Sequence, residues 1–106
     1  MTSFDRRENA YEAEFAHREE LRFKVRERAV GLLALWAAER LGKTGQAGKA
    51  YAADMVAADV ASASLDTALE RMVTDLSGRV SEQDVRQAMD RFWAQADSSI
   101  RGAASD

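Results

Sequence analysis

His17 is the chain's single histidine, and there is no cysteine. Glu14-x-x-His17 has the spacing by which a carboxylate and an imidazole share one helix face and point at a metal inside a bundle. Such a centre needs a second motif of the same kind, and there is no second histidine to build it. A general base needs a nucleophile within hydrogen-bond reach, and none stands near His17. Glu8, Glu12, Glu19 and Glu20 could pair for metal or acid–base work. Solvated charges along a helix explain them more simply. Glu14/Arg18 and Glu20/Lys24 are supporting i,i+4 pairs, whereas Glu8/Glu12 is a repelling one. Gly42-Lys43-Thr44 resembles the end of a phosphate-binding loop. The full pattern requires a glycine where Ala37 stands and a strand before it, so a helix stop followed by a helix cap is the better reading. Without cysteine, disulfides and thiolate metal sites are excluded. The residues predict no enzyme, no metal site and no catalytic residue.

The elements that carry these groups are helical throughout. A chain of 106 residues fits one domain. It contains no proline, the residue that interrupts helices, and alanine fills 21 positions. Leu21, Val25, Ala29, Leu32, Leu33 and Trp36 recur at helical spacing and predict a core helix over 21–41. Gly42 stops it, and Thr44 can cap a second helix over 45–61, with Tyr51, Met55, Val56 and Ala58 available for packing. Ser62 or Ser64 caps a third, whose apolar face is Leu65, Ala68, Leu69, Met72, Val73 and Leu76. Ser77-Gly78 ends it. Ser81 with Asp84 resembles a capping box. The last helix presents Val85, Ala88, Met89, Phe92, Trp93, Ala96 and Ile100, before a small polar tail over 102–106 expected to fray. Trp36 and Trp93 read as core anchors. The predicted architecture is all-α: a four-helix bundle with short loops and an N-terminal helical or partly disordered arm.

The arm is the least ordinary segment. The chain carries 15 basic and 18 acidic residues, net −3, with a pI near 5.2. This balance argues against nucleic-acid binding, which favours a basic excess. Half of the first 28 positions are charged, with seven residues of each sign, so the whole −3 falls on the remainder. Phe4, Tyr11 and Phe15 share one helix face, but the stripe is thin and is rotated by about 60° from the core face that begins at Leu21. A bend or fray near 17–20 would reconcile the two phases. An arm over 1–18 and a bundle over 19–106 follow as a division of one domain. Two readings of the arm stand side by side: a segment that enters a partner's groove on aromatic anchors, and an ordinary bundle helix. No apolar run reaches the ~20 residues that span a bilayer, and the N-terminus lacks the apolar core of a signal peptide. A cytoplasmic protein is expected.

Phe4-Asp5, Arg7-Glu8, Ala10, Glu12, Phe15-Ala16-His17, Glu19-Glu20-Leu21 and Phe23-Lys24 resemble the N-terminal signature of the ζ subunit family. These are small alphaproteobacterial inhibitors of the F-type ATP synthase. Leu32-Leu33, Leu35-Trp36-Ala37-Ala38-Glu39, Leu41-Gly42 and Ala50-Tyr51-Ala52 resemble the blocks that follow. Val85-Arg86 and Met89-Asp90 are similar, more loosely, to the last helix. The resemblance implies a bundle with a mobile arm that enters a catalytic αβ interface of the ATP synthase head, meets the γ subunit and opposes ATP hydrolysis. The protein would then lie peripheral to the membrane through the head. The resemblance makes Phe4, Tyr11 and Phe15 apolar anchors and pairs Asp5, Arg7, Glu8 and Glu12 with charges of the interface; His17, read as a helix-hinge or interface residue, joins the expected partner-binding set. It also implies possible adenine-nucleotide binding, with no residue to place it. Arg18 stands where the family usually has aspartate, and Asn9 where lysine is common. A non-inhibitory helical adaptor and an adenine-nucleotide-responsive binding protein are the alternatives on the same fold.

Overall fold

The computed structural model describes the backbone of residues 3–105 and the side chains of Ala10 and of residues 12–102. It contains four helices: α1 (Ser3–Arg40), α2 (Gly45–Ala61), α3 (Asp66–Asp75) and α4 (Glu82–Ser105), with no strand among the described residues. The all-α expectation holds. A helix of 38 residues is about 57 Å long at 1.5 Å per residue, close to the molecule's longest dimension of 62 Å. The other two dimensions are 28 and 27 Å. α1 is therefore the long axis, and its C-terminal part is the wall against which α2 and α4 pack, with α3 touching all three.

Local chemistry explains the boundaries. α1 closes in a Schellman motif: Gly42 adopts φ +76°, its N–H donates to Glu39 O at 3.1 Å, and Lys43 N–H donates to Ala38 O at 2.8 Å. Gly42-Lys43-Thr44 is thus a helix stop. Thr44 occupies the cap position of α2 in an extended conformation, but its side chain makes no capping bond, contrary to expectation. Ser64 Oγ accepts Asp66 N–H at 3.1 Å ahead of α3. Gly78, at φ +84°, lies in the turn after α3. Ser81 Oγ accepts Asp84 N–H at 3.1 Å, the serine half of the expected capping box.

Among the described residues, eight of the eighteen buried apolar ones are alanines, which lets the helices approach closely around Val25, Val30, Leu33, Met55, Met72, Leu76 and Val85. Three further expectations fail. α1 runs helical through 17–20 rather than fraying there, and every side chain from 12 to 20 is exposed, so no described packing demands a change of direction. α4 continues past Gly102 to Ser105 rather than fraying into a tail. Trp36 and Trp93 are half-buried flanks of the core, not fully enclosed anchors. The open face of Trp36 carries the Arg40 guanidinium 4.1 Å from its ring centre, a cation–π contact that suits a ring left at the surface.

Candidate partner-binding surface

From 12 to 20 every side chain on α1 is exposed; Leu21 is the first to be half-buried and Val25 the first to be buried. The N-terminal half of α1 therefore projects without a described neighbour, and local terms must hold it helical. Glu14/Arg18 at 3.8 Å, Glu20/Lys24 at 3.2 Å and Glu19/Arg22 at 3.3 Å are ion pairs along its surface. Each exposed pair contributes only about 0.2–0.5 kcal/mol. Phe15 leaves 56% of its surface open to solvent and Phe23 46%. Both rings stand free for a partner. Glu12 and His17 are exposed on the same projecting segment. The side chains of Phe4, Asp5, Arg7, Glu8 and Tyr11 lie outside the described residues, so only three of the eight expected partner-binding groups can be placed.

Where α1 meets the bundle, a polar contact appears among apolar ones. Asp59 is 1% exposed yet carries a carboxylate. Arg26 Nε donates to its Oδ2 at 2.9 Å and to Oδ1 at 3.2 Å, and Nη2 donates to Oδ1 at 2.8 Å. The hydrogen bond to Asp59 raises the Arg26 pKa above its already high value, burial opposes this, and the charge of Asp59 adds to it. Arg26 also lines a shallow cleft with Glu19, Arg22, Phe23 and Trp93. Between α2 and α3, Tyr51 Oη donates to Asp75 Oδ2 at 2.8 Å. Burial, then this hydrogen bond, then the Asp75 charge push the Tyr51 phenol well above its ordinary range, against a smaller lowering effect of Arg71.

A family model described as ATPase inhibitor subunit zeta matches residues 1–99. The chain belongs to the ATPase inhibitor subunit zeta family. No curated protein matches it, and no solved structure does. Membership supports an inhibitory, regulatory role toward ATP synthase and association with that enzyme. The match covers the projecting half of α1 as well as most of the bundle. No helix among the described residues is long and apolar enough to cross a membrane. No group of three or more histidine, cysteine, aspartate or glutamate residues among them could hold a metal.

Arg26, Asp59 and Phe23 were not singled out as site residues by sequence reasoning. A signal for Asp59 exists: Tyr51, Ala52, Met55 and Asp59 fall at i, i+1, i+4 and i+8, which puts the acid on the buried face of α2. An acid at a core position announces a partner, and Arg26, beside the buried Val25, is that partner.

Proposed function

We propose that this protein blocks ATP hydrolysis by inserting residues 1–18, which include the N-terminal end of α1, into a catalytic αβ interface of the ATP synthase head, where the arm also meets the γ subunit. The observation that supports this most is the exposure of the whole 12–20 stretch on a continuous helix, with the Phe15 ring uncovered. A helix with aromatic anchors and a charged surround fits a groove between two proteins. Covering the rings supplies affinity, and the charges set register and orientation. In this reading Phe4, Tyr11 and Phe15 are the anchors. Asp5, Arg7, Glu8 and Glu12 pair with the walls of the interface, His17 sits near the root of the inserted segment, and residues 19–106 carry and orient the arm. The protein then works at the cytoplasmic face, beside the head.

Deleting residues 1–18 tests the proposal. ATP hydrolysis by the ATP synthase of the same organism is titrated with the full chain and with the truncated one, and both are melted by circular dichroism. The truncated protein is expected to melt as the full chain does and to inhibit nothing. Inhibition that survives the deletion refutes the arm. A full chain that binds the head without slowing hydrolysis is an adaptor instead.

A further inference from the structure

We propose that Arg26 and Asp59 form a positioning clasp that fixes the direction in which α1 leaves the bundle, and so sets where the arm's tip reaches. The inference rests on the arm being the inhibitory element, and its test separates the two ideas.

The clasp sits at the exit itself. Val25 is the first buried residue among the described ones of α1, and Arg26 follows it directly. Asp59 lies two residues before the end of α2. α1 is thus tied to α2 little more than one turn inside its exit from the bundle, which half-buried Leu21 marks, while Phe23 and Trp93 line a cleft beside Arg26. Everything N-terminal of that point is a lever. From Ser3 to Arg26 is 23 residues, about 35 Å of helix, so a tilt of about 10° at the root moves the tip by roughly 6 Å. A displacement of that size takes an anchoring ring out of a pocket made for it.

The chemistry suits orientation better than it suits stability. A buried ion pair is often replaced by apolar residues with no loss of stability, because desolvation offsets the attraction. What the apolar replacement lacks is direction. Two guanidinium nitrogens meet two carboxylate oxygens here at 2.8 and 2.9 Å, and a planar fork on a planar carboxylate resists rotation and sliding in a way that a single contact does not. Lysine keeps the charge and loses the fork. Asp59 cannot turn to solvent for a substitute partner, because it is 1% exposed.

The test uses the full chain, which lacks cysteine and so accepts two labels cleanly. Ala13→Cys on the arm and Ala53→Cys on α2, both exposed positions, carry spin labels, and the distance distribution between them is measured by pulsed electron resonance in the free protein. Two variants are compared with the native pair: Arg26→Lys, and the double change Arg26→Met with Asp59→Leu. The second keeps the packing and remains folded if lysine alone does not. Unlabelled versions are titrated against ATP hydrolysis and melted. Both folded variants should broaden or shift the label distance and raise the half-inhibitory concentration about tenfold, as a lost preorganising contact does, while the double variant keeps the native melting temperature. An unchanged distribution overturns the clasp. So does inhibition that falls only in step with melting temperature, which marks a merely structural pair. If the distance broadens but the chain lacking 1–18 still inhibits, the clasp stands and the arm as inhibitor falls.

Discussion

Phe15→Ala separates binding from folding at a single residue. A phenylalanine buries roughly 150–250 Å² when fully covered. With 56% of it exposed on the free helix, roughly 110 Å² remains for a partner to cover. At ~25 cal/mol per Å² this amounts to about 2.8 kcal/mol, and at 1.4 kcal/mol per factor of ten it sets a ceiling of about 100-fold in affinity. Alanine retains the Cβ, so a loss between about tenfold and that ceiling is expected. Stability should not fall, because alanine is the better helix former by about 0.5 kcal/mol and no core contact is removed. Leu33→Ala is the opposite case. Leu33 is 0% exposed in the middle of the bundle, and its truncation should cost about 2–5 kcal/mol of stability while leaving the arm's surface untouched. The assay pairs a titration of ATP hydrolysis with thermal melts of both variants. If Phe15→Ala lowers the melting temperature as Leu33→Ala does, the arm packs on the bundle. If it inhibits at the native concentration, the exposed ring is not an anchor.

Tyr51 ionises above its ordinary value of about 10 because it is buried and hydrogen-bonded to Asp75. Its contribution to stability is complete below that pH and is lost as pH climbs toward the folded value, so above pH ~10 the native protein should lose melting temperature more steeply than Tyr51→Phe. The glycines should respond with opposite signs in the same melting assay. Gly31→Ala would place its Cβ 3.6 Å from Val56 Cγ2, an ordinary contact, and should stabilise by up to about 1 kcal/mol, whereas Gly42→Ala at φ +76° should cost about 1–2 kcal/mol. Ala16→Pro should break α1 near the base of the arm at a local cost of about 3 kcal/mol; because none of the described residues before Leu21 is buried, inhibition should fall while the bundle melts as before, and retained inhibition would mean that the arm works without a continuous helix.

Much of the fold was legible because it follows from punctuation. Glycines at 42 and 78 and serines at 64 and 81 bracket helices whose apolar faces have a helical period, and the observed α2 has the expected bounds of 45 and 61. Capping and the left-handed backbone are local physics, which a sequence displays directly. The course of α1 was not local. A rotation of the apolar stripe reads as a bend only if both stripes must face one core, and the exposure of 12–20 removes that condition. The tryptophans were over-assigned to the interior for a related reason. A periodic pattern says which side a ring is on, not how far the neighbouring helices extend over it, and alanine-rich neighbours extend little. Asp59 was passed over because acids are counted as surface by default, although its spacing from Tyr51 and Met55 placed it inward. Of the expected binding groups, Glu12, Phe15 and His17 lie on the exposed stretch, while Phe4, Asp5, Arg7, Glu8 and Tyr11 fall outside the described side chains.

One helix serving as both core wall and arm has an energetic consequence. A separate 18-residue peptide must nucleate its own helix, and a nucleation parameter near 10⁻³ corresponds to about 4 kcal/mol. In the intact chain the turn around Val25 is already held by burial and by the Arg26 fork, so the arm only propagates a helix that exists. Propagation is nearly neutral for alanine, glutamate and arginine, the residues that fill much of the stretch from 12 to 20. The weak surface ion pairs then need only to tip a balance, which sums of a few tenths of a kcal/mol can do. On this argument the bundle is more than a handle for an inhibitory peptide. In the proposed mechanism it preorganises the arm by removing the nucleation cost and, through the proposed Arg26–Asp59 clasp, by choosing its direction. The absence of proline completes the scheme, since a single one between 12 and 25 would separate the arm from the turn that nucleates it.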